Sequence, residues 1–217
     1  MTTRPRAGWV VAGAGVAYGL LLRPRLLTWG ATKTESAGAL PGDELLRSRW
    51  QTTRAVTIAA PPADVWPWLV QLGFGRAGWY SYDWLERAIG AGDFAEGRSA
   101  RSILPQFQSL KVGDPVPLSP VGGMTAAVVE PSRALVLRMT MNALTGAPAQ
   151  DGDRVALDWT WAFVLAPVGP RSSRLLVRVR ADYRPAALGL AIPILLEPVH
   201  LLMERAMLRG IRGRAAR

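Results

Sequence analysis

The residues of this 217-residue chain best suited to chemistry are its aromatics and a single histidine. Trp79, Tyr80, Tyr82 and Trp84, preceded by Arg76 and interleaved with Asp83, form the densest group. Flat, rigid side chains with polar tips suit an apolar ligand carrying a few oxygens, or a membrane interface, and the same rings also serve as core that plugs one end of a domain. His200 has Glu204 one turn after it and Glu197 one turn before. A carboxylate at that spacing can orient an imidazole as a general base, or can form an ordinary helical ion pair of little energetic weight.

Residue types exclude much else. Cysteine is absent, which removes disulfides, thiolate nucleophiles and Cys-containing metal sites, and one histidine rules out a His-His metal pair. Asp151, Asp153 and Asp158 lack the twelve-position spacing of an EF-hand and read as solvated turn residues. No serine sits in a GxSxG elbow, and the GAGVAYG string from Gly13 to Gly19 lies in an apolar run with no preceding strand. Neither a metal nor a cofactor is expected. The chain carries 26 Lys+Arg against 16 Asp+Glu, a net charge of +10, and only Lys33 and Lys111 are lysines. The arginines are spread over several segments without a nucleic-acid-binding motif, so no nucleic-acid partner is expected. Their densest cluster, from Arg205 to Arg217, suits anionic lipid headgroups or the C-terminal end of a helix dipole.

Elements must position these groups. Residues Ala7 to Leu22 form an uncharged run of 16, bracketed by Arg4 and Arg6 and by Arg23 and Arg25. It is marginal for spanning a bilayer, which takes about 20 residues, and reads as an N-terminal anchor or interfacial helix over 1–28. The two arginines after it and the lack of a cleavage site argue against a signal peptide. This makes the protein membrane-associated, leaning to the cytoplasmic face. Residues 29–52, rich in Gly, Thr, Ser and Pro, read as an extended connector.

From residue 53 to 217 the patterning is that of one domain. Val56 and Ile58 mark a strand, and Val65, Trp68, Leu69 and Leu72 give the apolar face of a short helix in which Pro67 predicts a late start or a kink. A second short helix is predicted near Tyr82 to Ile89. An edge strand near Lys111 to Leu118 and a hairpin around the EPSR turn follow. Leu157, Trp159, Trp161, Phe163 and Leu165 alternate strictly with smaller or polar residues, as do Leu175, Val177, Val179 and Ala181 with the arginines of the next strand. The closing helix, about Ala187 to Arg214, is predicted to pack through Val199, Leu202, Met203, Ala206 and Gly210, leaving Leu201, Leu208, Arg205 and Arg212 outside. The fold class is α+β, a curved antiparallel sheet closed by the terminal helix, with a hollow between them. Trp159, Trp161, Met203 and His200 face that hollow as candidate ligand contacts beside the Trp79 to Trp84 group.

The strings WGATxxE (Trp29 to Glu35), LPGDEL (Leu40 to Leu45), TRAVTIAAPPADVWPWLVQLGFGRAGWYSYDWLE (Thr53 to Glu86), LKVGDPVPL (Leu110 to Leu118) and EPVHLLMERAMLRGIRGRA (Glu197 to Ala215) resemble the SRPBCC superfamily. This group comprises START, polyketide cyclase/dehydrase and birch-pollen-allergen-like proteins. The resemblance implies a helix-grip fold with a hydrophobic cavity for a lipid, a polyketide or a similar apolar molecule, and it implies no reaction, because carriers and enzymes share the fold. The expected function is a membrane-associated binding protein for such a molecule. An alternative is a cyclase/dehydrase-like enzyme with His200 or Asp83 as acid/base and Tyr80 or Tyr82 polarising a carbonyl. A third is an interaction module docking through Leu201 and Leu208.

Overall fold

The computed structural model describes residues 18–150, 153–187, 189 and 196–217. Most of the run read as an anchor lies outside them. Its last residues, Tyr18–Leu22, form a π-helical turn whose Leu20, Leu21 and Leu22 are exposed. No helix among the described residues is long and apolar enough to cross a membrane.

Six antiparallel strands form one sheet: β1 (Trp50–Ile58), β2 (Pro115–Pro117), β3 (Gly123–Glu130), β4 (Ala134–Asn142), β5 (Ala156–Gly169) and β6 (Ser172–Arg184), in the order β1-β6-β5-β4-β3-β2. The period-two pattern sets their register. Trp159 faces Ala181, Trp161 faces Val179 and Phe163 faces Val177, so one side of the sheet collects the large apolar residues. A bulge between Ala126 and Val128 keeps β3 in phase with that division: Ala126 stays on the inner face and Val128 turns to the outer one. The strand at one edge, β2, is short and flanked by Pro115 and Pro117, which lack the donor a further partner strand needs.

Among the described residues five α-helices accompany the sheet: α1 (Arg23–Leu27), α2 (Lys33–Ala37), α3 (Pro62–Val70), α4 (Asp83–Ala88) and α5 (Glu197–Ala215). Helix α3 buries Val65, Trp68 and Leu69 as its spacing predicts. It begins at Pro62 and runs through Pro67 without the predicted late start. Ala63, whose carbonyl loses the Pro67 donor, is exposed, so water can substitute. Helix α5 packs on α3 and β1.

The face that α5 buries corrects the expectation. Glu197, Glu204, Met207, Leu208 and Ile211 are buried, whereas Val199 and Leu202 are 45% and 47% exposed. At about 100° per residue the packed face lies nearly opposite the predicted one. The reason is electrostatic: Arg23 holds Glu197 and Arg54 holds Glu204, which turns two carboxylates inward. Leu208 is therefore core, and no Leu201–Leu208 docking face exists. Gly210 lies where α5 meets the loop between α3 and α4, since a Cβ there would stand 2.3 Å from the Tyr80 carbonyl oxygen.

The segment read as a connector lies on the outer face of the sheet. Thr32 and Glu35 form a capping box that starts α2. Ala31, Leu40 and Leu45 then pack on Ala55, Val136, Ala162, Val164 and Leu176.

Candidate functional site

Because α5 lies toward the β1 side, the inner face of β3, β4 and β5 is left partly uncovered. A cavity of about 390 Å³ opens there. Trp159 and Trp161 come from β5, Met124 from β3, Met139 and Met141 from β4, and Met203 and Met207 from α5, with Trp79 and Ser81 from the loop ahead of α4. Every methionine among the described residues lines this space. Trp79 stacks on Trp161 with ring centroids 5.2 Å apart and planes 18° from parallel.

Behind the cavity wall, Arg54 clamps the two titratable residues that line it, Glu204 and His200. Arg54 shares the inner face of β1 with Val56 and is wholly buried; its Nη1 donates to Glu204 and, at 2.9 Å, to His200 Nδ1. The other Glu204 oxygen accepts from Trp161 Nε1 at 3.2 Å. Burial pushes the Glu204 carboxyl up, against the pull of Arg54 and Trp161. Beside it, Trp50 Nε1 and the Arg23 guanidinium both donate to Glu197, each at a closest distance of 2.7 Å.

This geometry fixes the state of His200. A guanidinium nitrogen only donates, so Nδ1 accepts and the ring proton sits on Nε2. Burial, and then the Arg54 charge, lower its pKa to about 3, which leaves it neutral. Nε2 has no hydrogen-bond partner, and Glu204 Oε1 stands 3.8 Å away. The imidazole is wedged between Trp50 and Trp159, whose ring centroids lie 5.5 and 5.6 Å from its own. With one nitrogen occupied and the other protonated, it offers no lone pair for a general base.

Of the residues singled out from sequence, Trp79, Trp159, Trp161, His200 and Met203 line the cavity. Tyr80, Tyr82, Asp83 and Trp84 do not. Tyr80 adopts φ 56°, in the left-handed region, so consecutive rings diverge; Tyr80 turns to Trp68 and Arg214, and its hydroxyl accepts from Gln71 at 2.8 Å. Burial raises its pKa. Asp83 is engaged by the backbone and hydroxyl of Ser99 at 3.1 and 2.6 Å. Tyr82 and Trp84 lie exposed, 6.4 Å apart. The acid/base arrangement of His200 or Asp83 with a tyrosine is therefore not assembled. The basic tail is also partly committed, with Arg205 and Arg209 stacked over Trp29 and Arg214 over Tyr80.

Sequence reasoning passed over Arg54, Trp50 and four of the methionines. Parity would have found the strand residues among them, since Trp50 and Arg54 share a face with Val56 and Ile58, and Met139 and Met141 with Leu135 and Leu137; Met207, on α5, follows instead from the orientation of that helix.

No family model matches the chain. No curated protein matches it. Among solved structures, a conserved protein from Geobacillus kaustophilus is similar at 13% identity and a TM-score of 0.43, over 77% of this chain and 95% of that one. A protein from Mesorhizobium loti is similar at 14% identity and TM-score 0.41, over 75% and 96%. Norcoclaurine synthase from Thalictrum flavum, in complex with dopamine and hydroxybenzaldehyde, is similar at 13% identity and TM-score 0.37, over 74% and 84%. Scores at this level establish no kinship, and the cavity is read from its own geometry.

Proposed function

We propose that the protein binds an apolar small molecule or lipid in the cavity between the sheet and α5, and that it does so at a membrane surface. The observation that carries the reading is the lining. Three indoles and five thioethers surround about 390 Å³, with few polar groups among them, and this is the character of a site for an apolar guest. Methionine adapts to guests of different shape and gains from sulfur contacts with flat rings. The superfamily resemblance of the sequence supports the same reading. No positioned base or nucleophile faces the cavity from His200, Asp83 or Tyr80, so binding is favoured over a cyclase-like reaction.

Membrane contact is supported by exposed apolar side chains near the opening. Val199 and Ile89 line the cavity and also face solvent, and Leu202 lies exposed on the same helix as Val199. Leu20, Leu21 and Leu22 immediately precede Arg23, which grips Glu197 beside the cavity-lining Leu196 and Val199. An N-terminal segment held at a bilayer would thus bring the opening close to lipid.

The test is titration with the neutral dye N-phenyl-1-naphthylamine, together with native mass spectrometry of protein prepared without detergent. The dye should brighten on binding, and Met203→Trp, which fills the space, should weaken it at least tenfold. Absence of both dye binding and any apolar adduct would refute the reading. The membrane part is read by co-sedimentation with phosphatidylcholine and phosphatidylglycerol vesicles. Serine at positions 20, 21 and 22 should reduce the bound fraction, and an unchanged fraction removes the membrane role of these leucines.

A further inference from the structure

The cavity's electrical character narrows its guests further, on the footing of the binding role just proposed. The chain carries 26 Lys+Arg, yet among the described residues no lysine or arginine lines the cavity. Among the described residues the one charged group at its wall is Glu204, and the compensating guanidinium of Arg54 lies outside the lining, fully buried on β1. A guest therefore meets the negative end of the Arg54–Glu204 pair first. His200, the other titratable group at the wall, is neutral, and its Nδ1 is already used by Arg54.

We propose that Glu204, by standing between the cavity and Arg54, makes the site selective for neutral guests and closes it to carboxylates such as fatty acids. An anionic head taken into this space would lose its hydration and find a carboxylate where a cation is needed. Burial of an uncompensated charge is costly enough to separate the two classes by about a hundredfold or more. Uncharged guests meet no such barrier. The positive edges of aromatic rings are attracted to the negative end of the pair.

The test compares 9-anthracenemethanol with 9-anthracenecarboxylate, two probes of one shape that differ in charge, followed by their own fluorescence at pH 7.5. The alcohol should bind at least about a hundredfold more tightly. Glu204→Gln unmasks Arg54 and should shift the affinity ratio at least about tenfold toward the carboxylate. The double substitution Arg54→Met with Glu204→Leu, which leaves no charge behind, should lower the preference for the alcohol below its wild-type value, because the repelling carboxylate has gone and only the cost of burying the anion remains. If Glu204→Gln does not fold, the double variant decides in its place: a ratio equal to that of the unmodified protein overturns the role of Glu204. Equal binding of the two probes, or a ratio that Glu204→Gln leaves unmoved, overturns the selectivity and leaves the binding role standing. Binding of neither probe removes both.

Discussion

The two faces of the sheet both carry buried arginine, and they accommodate it in opposite ways. On the outer face Arg178 places all five of its donors: Nε on Thr53 Oγ1, one terminal nitrogen on Gly38 O and Asp43, and the other on the carbonyls of Glu35 and Ser36. Arg174 holds Glu35 and the Gly30 carbonyl, and Arg180 holds Ser48 and the Asp43 carbonyl. On the inner face Arg54 leans mainly on one side chain, Glu204, with His200 Nδ1 and the Leu26 carbonyl beside it. The outer arginines fasten a covering segment through its backbone. The inner one neutralises a carboxylate at the edge of an otherwise oily space.

The sharpest way to break this contrast is a pair of double-substitution cycles read by urea unfolding. Arg54→Met should cost about 3 to 5 kcal/mol, because Glu204 is left as an unpaired buried charge, and adding Glu204→Leu should restore most of it. Arg178→Met should cost a similar amount, yet Asp43→Asn should restore little, since the Glu35 and Gly38 carbonyls of the covering segment still lack the donor that Arg178 supplied. Equal rescue in both cycles would show that the faces do not differ in this way.

Acid separates the faces next. On the inner side, the unfolded chain takes up the His200 proton near pH 6.5, whereas the folded protein refuses it until about pH 3. Unfolding then consumes a proton across that window, so stability falls as pH drops from about 6.5, with a slope approaching about 1.4 kcal/mol per pH unit. His200→Gln keeps an acceptor for Arg54 without titrating and should flatten this slope. A profile identical to that of the unmodified protein would contradict the buried, neutral imidazole.

The smallest effect belongs to the outer side. The Arg174 bond, with a further backbone bond from Thr32, lowers the Glu35 pKa to about 2. A depressed carboxyl contributes stability that is present above its unfolded pKa and lost as pH falls from about 4.5 toward 2. The pair is partly solvated, so Glu35→Gln should remove only about 0.5 to 1 kcal/mol at neutral pH and nothing near pH 2. Thermal melts at the two pH values check both the size and the sign.

The sheet was the most legible part of the molecule in the sequence. Alternation over β5 and β6, the EPSR hairpin and the spacing in α3 each depend on neighbours a few positions away, and each element stands where its pattern puts it. The orientation of α5 was not legible. Its two inward carboxylates are explained by Arg23 and Arg54, which lie 174 and 150 residues from Glu197 and Glu204. A local hydrophobic stripe carries no trace of such partners. Trp79, Trp159 and Trp161 could be placed at the hollow from sequence, while Tyr80 turns to Gln71 through a left-handed backbone that the composition does not announce, and Asp83 meets Ser99, 16 residues further along the chain.

Gathering every methionine of the described residues into one chamber also gives the protein a chemical record of its own occupancy. Thioethers oxidise to polar sulfoxides, which would wet the chamber and weaken its hold on a greasy guest. A resident molecule shields the same sulfurs. Mild peroxide should thus age the empty protein faster than the filled one, and the sulfoxide pattern would report which state was present.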